Sequence, residues 1–123
     1  MAGVAQMTAV TIDCPDPGVL ADFYSKLTGW EIVYSDDTYV YVAGDGAVRL
    51  GFQRVQEEYN PPRWPSQTVP QQLHIDFKVE SIEEAERQAL ALGATKPDFQ
   101  AGDDNWHTLL DPAGHPFDLS IVA

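Results

Sequence analysis

Gln72-Leu73-His74-Ile75-Asp76-Phe77-Lys78-Val79 is the stretch on which the reading of this chain turns. Its polarity alternates residue by residue. In an extended strand Leu73, Ile75, Phe77 and Val79 fall on one face, and His74, Asp76 and Lys78 on the other. The first face suits a core. The second carries a histidine and a carboxylate two residues apart, which makes it either a solvated surface or the wall of a pocket.

Downstream, Ser81 stands three residues before Glu84, the spacing of a capping box. It opens a helix to about Leu92, with Ile82, Ala85, Ala89 and Leu92 inward and Gly93 as terminator. A short strand from Ala94 to about Lys96, a loop to Asp104, a strand at Trp106–Leu110, an Asp111-Pro-Ala-Gly114 turn and a last strand at Pro116–Ile121 follow.

The first half reads in the same order. A strand at Thr8–Cys14 leads to Asp16, an N-cap with Pro17 at the first helical position. Leu20, Phe23, Tyr24 and Leu27 take helical spacing, and Gly29 closes the helix. Strands at Trp30–Tyr34, Tyr39–Ala43 and Val48–Gln53 complete the set, with Gly44-Asp45-Gly46 as a hairpin signal. The fold class is therefore α+β: two βαβββ modules, residues 7–53 and 72–122, forming a curved mixed sheet around a cleft. The proline-rich loop 54–71, with Tyr59 and Trp64, joins them. Placing Ala9 on His74 puts Asp16 on Ser81, a repeat of about 65 residues, too long for a solenoid unit.

At 123 residues the chain, 1–123, reads as a single domain. Seven basic against nineteen acidic side chains, a net charge of −12, oppose binding to nucleic acid or to an anionic membrane surface. A neutral or cationic ligand is easier to accommodate. The single cysteine, Cys14, forms no intrachain disulfide, and no signal peptide is evident, so the expected compartment is the cytoplasm. No window approaches the ~18 apolar residues of a membrane span.

Asp16-Pro17, Phe23-Tyr24, Leu27-Thr28-Gly29-Trp30, His74-Ile-Asp-Phe77 with Val79, Ala91-Leu-Gly-Ala94 and Leu110-Asp-Pro-Ala-Gly-His-Pro-Phe-Asp118 follow one another over nearly the whole chain. In this order and spacing they resemble the vicinal oxygen chelate superfamily: glyoxalase I, extradiol dioxygenases and bleomycin-resistance proteins. The resemblance implies a metal held by a His or Gln of the first strand, a Glu of the fourth, and a His and a Glu of the matching strands in the second half. Carried over, His74 takes the second-half histidine and Asp118 the final glutamate. Ala9 replaces the first ligand, and Arg49 to Gln53 offers no carboxylate. Two good ligands fall short of the three that a catalytic metal ordinarily keeps, so no metal or other cofactor is expected. Asp76 or Asp13 would have to be drafted in to hold a divalent ion.

The remaining candidates are aromatic. Tyr39 and Tyr41 share a face opposite Val40 and Val42, Trp30 opens the second strand, and Trp64 and Trp106 lie in or next to loops. Such rings fill cores as readily as they line clefts. The ligand-binding set is Trp30, Tyr39, Tyr41, Trp64, His74, Asp76, Trp106 and Asp118. His107 reads as a surface or helix-side residue, and His115 as part of a turn. The leading expectation is non-catalytic sequestration of a small aromatic or amphipathic compound, in the manner of bleomycin resistance. That would make it an antibiotic-resistance protein, with a cationic ligand favoured by the acidity. The alternative is a glyoxalase or other lyase, an isomerase or a dioxygenase, with His74 and Asp118 as candidate catalytic residues, with or without a divalent metal. A homodimer is implied by the resemblance alone.

Overall fold

The computed structural model describes residues 3–122. By internal contacts the chain divides after Tyr59 into two compact units.

The first unit runs β1 (Ala9–Cys14), α1 (Pro17–Thr28), β2 (Glu31–Ser35), β3 (Tyr39–Ala43) and β4 (Arg49–Arg54). Its sheet has the order β1-β4-β3-β2, with β1 parallel to β4 and the other pairs antiparallel. Helix α1 starts where Asp16 Oδ1 accepts the amides of Gly18 and Val19, satisfying two donors that an uncapped helix leaves open. It stops at Gly29, whose φ of 77° a side chain would oppose. Leu20, Ala21, Phe23 and Tyr24 are buried with Ile12, Val40, Val42 and Phe52, and the Tyr24 ring stacks on Phe52 at 5.5 Å. The valines of β3 thus take the buried face, as their alternation with the tyrosines predicts. With β1 at one edge of the sheet, strand β2 forms the other. Ile32, Val33 and Tyr34 are each about half exposed there, and its pairing with β3 slips between Ile32 and Tyr34.

The second unit runs β5 (Ile75–Lys78), α2 (Ile82–Leu92), β6 (Trp106–Leu110) and β7 (Pro116–Ser120), with sheet order β5-β7-β6 and β5 parallel to β7. It reproduces the first unit's order but with three strands in place of four. The strand expected at Ala94–Lys96 is a single bridge, Thr95 to Leu110, with both of its hydrogen bonds formed at 2.8 and 2.9 Å. Pro97 follows directly; lacking an N–H, it cannot extend the ladder. The capping box is half formed. Ser81 Oγ accepts the Glu84 amide, while the Glu84 carboxylate turns to Arg87 and Gln88 instead of reaching back. The Asp111 turn is tightly built: Oδ1 accepts the amides of Ala113 and His115, and Gly114 takes a φ of 92°. No helix among the described residues is long and apolar enough to cross a membrane.

Candidate functional site

The second unit's sheet has two unlike faces. On one, Phe117, Leu119 and Leu109 are buried, and Phe77 meets Phe117 edge to face at 6.0 Å. His107 points to this side, as alternation with Trp106 and Thr108 requires. Its Nδ1 lies 2.7 Å from Glu86 Oε1 on α2, and Lys96 Nζ lies 3.0 Å from the same oxygen. Burial alone would raise the Glu86 pKa, but these two partners outweigh it and hold the carboxyl below its ordinary range. His107 is therefore a structural residue braced against the helix.

The other face carries the polar residues of the opening stretch. Asp76 of β5 is registered with Asp118 of β7, and Asp118 with Thr108 of β6, so the three stand in a row across the sheet. Thr108 Oγ1 donates to Asp118 Oδ1 at 2.6 Å, leaving Oδ2 for other partners. His74, the residue before β5, brings Nε2 to 3.7 Å from Asp76 Oδ1 and 3.9 Å from Asp118 Oδ2. Asp118 is raised above the ordinary carboxylate range, first by burial and then by the neighbouring Asp76. The Thr108 hydroxyl and His74 act in the opposite sense.

A cavity of about 460 Å³ opens on this face, with His74, Asp76, Lys78, Trp106, Asp118 and Ser120 in its wall. A smaller one of about 180 Å³ shares His74, Trp106 and Asp118 and adds Trp64, Gln71 and Thr108. Gln71 Oε1 in that wall is buried and accepts no hydrogen bond from the described residues. Of the eight candidate binding residues, His74, Asp76, Trp106 and Asp118 thus converge on the larger cavity, and Trp64 on the smaller. Tyr39 and Tyr41 lie together on the first unit's sheet, their rings 6.4 Å apart and nearly parallel. Trp30 packs elsewhere in that unit: its indole lies against Gly44, and it lines none of these cavities.

Lys78 joins the cavity wall from the polar face of the opening stretch, whereas Thr108 and Gln100 carry no signal in the sequence. Gln100 brackets the Thr108 backbone, with Oε1 accepting its amide at 2.8 Å and Nε2 donating to its carbonyl at 2.9 Å. That clamp fixes the strand position whose hydroxyl orients Asp118. Nothing in a lone glutamine of a loop signals this. Gly102 is a second support, because a Cβ there would overlap the Trp106 indole.

For a metal, the donor set is one imidazole nitrogen and two carboxylate oxygens, all within 4.8 Å of one another. Ligand atoms around a tetrahedral ion at about 2.1 Å stand roughly 3.4 Å apart, so small side-chain rotations would let His74, Asp76 and Asp118 hold a divalent ion, where it would act as a Lewis acid on a bound oxygen. This set differs from the one the resemblance implies, since it draws on Asp76 and on one unit only. The first unit's register explains why. Thr11 is registered with Gly51, and Gly51 with Tyr41, the same row that holds Asp76, Asp118 and Thr108 in the second unit. Gly51 therefore occupies the fourth-strand ligand position and Ala9 the first-strand one.

Residues 9–120 match the family model of the glyoxalase-like domain. No curated protein sequence matches the chain. Among solved structures, a glyoxalase/bleomycin resistance protein/dioxygenase family enzyme from Burkholderia phytofirmans is 18% identical with a TM-score of 0.67, covering 94% of this chain and 97% of its own. The bleomycin-binding protein of Streptomyces verticillus, solved with copper(II)-bleomycin, is 14% identical with a TM-score of 0.61, covering 99% of this chain and 100% of its own. A fosfomycin resistance protein from Mesorhizobium loti is 15% identical with a TM-score of 0.66, covering 100% and 94%. At these identities the likeness is one of fold. With two helix-backed mixed sheets of matching order and a family match over nearly its full length, the chain belongs to the glyoxalase-like domain family of the vicinal oxygen chelate fold.

Proposed function

We propose that this protein binds a small aromatic or amphipathic molecule bearing a positive charge, on the polar face of the β5-β7-β6 sheet, and sequesters it without chemical change. The observation that carries the reading is the cavity of about 460 Å³ that opens on Asp76 and Asp118 beside the Trp106 indole. Two carboxylates registered side by side repel one another until a cation sits between them. An aromatic wall next to them suits the flat body of an organic cation. The Gln71 acceptor in the adjoining cavity adds a partner for an N–H donor on the ligand. Sequestration is favoured over turnover by Ala9 and Gly51, which leave the first unit without metal ligands at the positions the family uses. A cytoplasmic homodimer conferring resistance to such a compound is part of the same proposal; the buried thiol of Cys14 suits a reducing compartment.

The test is tryptophan fluorescence quenching of the purified protein against a panel of aromatic amines and aromatic natural products, with metal analysis on the same sample. Trp106→Ala and Asp118→Asn are each expected to weaken binding about tenfold or more. Binding indifferent to both substitutions overturns the reading.

A second reading has one observation in its favour, the His74-Asp76-Asp118 donor set. It makes the protein a metal-assisted lyase, isomerase or dioxygenase. Stoichiometric Zn²⁺, Ni²⁺ or Fe²⁺ in the native protein, lost in His74→Ala together with a turnover activity, would decide for it.

A further inference from the structure

We propose that the molecule bound on the polar face of the β5-β7-β6 sheet is a zwitterion, a flat aromatic body with an ammonium group at one end and a carboxylate at the other. The cavity is that of the reading above, on which this one rests. What is new is a second charge on the ligand and the residues that receive it, Lys78 and Ser120.

Three observations carry it. The first is register. Two residues along from Asp76, Asp118 and Thr108, the same three strands place Lys78, Ser120 and Trp106 side by side. Alternation puts this second row on the same face as the first, displaced along the strands by about 6.6 Å. Lys78, Ser120 and Trp106 all stand in the wall of the cavity of about 460 Å³ that opens on Asp76 and Asp118. One cavity therefore spans both rows.

The second is the sense of the hydrogen bonds. The first row carries two carboxylates, which only accept when ionised, and its one hydroxyl, on Thr108, is committed to Asp118. The second row is made of donors. Lys78 brings an ammonium and Trp106 an indole N–H, neither of which can accept. Ser120 Oγ accepts the Val122 amide at 3.1 Å, which leaves its hydroxyl proton for an acceptor in the cavity. Acceptors at one end and donors at the other match a ligand that is cationic at one end and anionic at the other.

The third is that the two rows do not neutralise each other. Lys78 stands two residues from Asp76 on one face, yet it is within ion-pair distance of no acid among the described residues. Lys26, Arg54, Arg87 and Lys96 each have such a partner. The group that approaches Asp76 and Asp118 is His74. The Lys78 ammonium is thus available to a ligand. The net charge of −12 adds a reason for joining the two charges in one molecule: a simple anion is repelled by the chain as a whole, and a zwitterion, with no net charge, is not. A benzene ring with para substituents holds its charges at about the spacing of the rows. An amino acid with both charges on one carbon reaches only one row.

The experiment is isothermal titration calorimetry of the full chain with 4-(aminomethyl)benzoate, with its methyl ester, and with phenylglycine, an isomer of the acid whose charges share one carbon. The acid is expected to bind at least about fivefold more tightly than the ester, which keeps the ring and the ammonium but not the negative charge. Phenylglycine should bind more weakly than 4-(aminomethyl)benzoate. Lys78→Met should reverse the order, weakening the acid about fivefold or more and tightening the ester, whose ammonium it no longer repels. Ser120→Ala should weaken the acid by a smaller factor. Circular dichroism and melting of each variant separate lost binding from lost fold. An acid no tighter than its ester, a preference that persists in Lys78→Met, or phenylglycine bound as tightly as its isomer overturns the proposal. In each of those cases an ester that binds, and that Asp118→Asn weakens, leaves the cation-binding reading standing. A chain that holds neither acid nor ester at millimolar concentration overturns both.

Discussion

Asp118→Asn is expected to make the protein more stable at neutral pH while weakening its binding of a cationic ligand. The side chain is mostly enclosed, at 16% exposure, and faces Asp76 across the sheet. Its pKa is raised by burial first and by Asp76 second, so the folded state disfavours the charged form. The sign follows by linkage: an acid whose folded pKa lies above its unfolded one adds stability when protonated, and that contribution is lost as pH rises through the folded value. Asparagine removes the charge and keeps an oxygen for the Thr108 hydroxyl. The candidate ligand atoms of the two carboxylates lie within 4.8 Å of one another. Unit charges at that separation repel by about 0.9 kcal/mol at the dielectric of water, and by about 3.5 kcal/mol at an effective value of 20. Asp76 is 73% exposed, which places the pair near the lower figure. Part of the gain is returned, because the Thr108 hydrogen bond loses its charge assistance. The net expectation is about 0.5–1 kcal/mol in favour of the variant at pH 7.5, or about 2–4 °C in Tm for a chain of this size. The assay is thermal and urea unfolding of both proteins from pH 7.5 downward. The advantage should shrink as pH falls toward the raised pKa, because the wild type then takes up the proton that the variant never needs. A variant no more stable at pH 7.5, or an advantage that does not change with pH, would refute the reasoning.

Two further outcomes concern the scaffold. Glu86→Ala removes the shared partner of His107 and Lys96 and should cost about 1–3 kcal/mol by urea unfolding at pH 7. Because the Glu86 pKa is lowered in the fold, its stabilising contribution is complete above the ordinary carboxylate range and disappears as pH falls through the folded value, so the gap between wild type and variant should close in acid. Asp111→Ala frees the buried amides of Ala113 and His115, and a loss of about 2–4 kcal/mol is expected, measured as a drop in denaturation midpoint with an unchanged m value.

Much of this architecture was legible because local chemistry and tertiary packing agree. Asp16, Ser81, Gly29 and Gly93 mark the helix ends in sequence, and all four act as caps in the structure. Alternation placed Val40 and Val42 inward, and it placed His107 and Trp106 on opposite sides of one strand. Legibility failed where a partner far along the chain decides. Ala94–Lys96 has a strand's composition, but pairing there stops at Thr95 because of Pro97. Glu84 has the spacing of a capping box, yet Arg87 and Gln88 compete for its carboxylate. At the candidate site, His74 and Asp118 were visible as family positions and Asp76 as a neighbour. The row Asp76-Asp118-Thr108, however, depends on the register of three strands, which a linear pattern does not contain. The same holds for Gly51: sequence shows that no acid is available near it, and only the pairing shows which residue stands in the acid's place and that Tyr41 covers it.

The edge strand β2 bears on how the protein behaves in a tube. Ile32, Val33 and Tyr34 leave an apolar ribbon in the open, and an unpaired strand edge is a template for another copy. The slip in pairing between Ile32 and Tyr34 roughens that template. The net charge of −12 holds copies apart at a distance. Dispersal thus rests on mutual repulsion more than on concealment, and repulsion is the quantity that salt and acid titrate away. A concentrated stock brought to high ionic strength or to mildly acidic buffer should cloud while its helices are still intact, and neutral, dilute, low-salt conditions are the ones in which it stays clear.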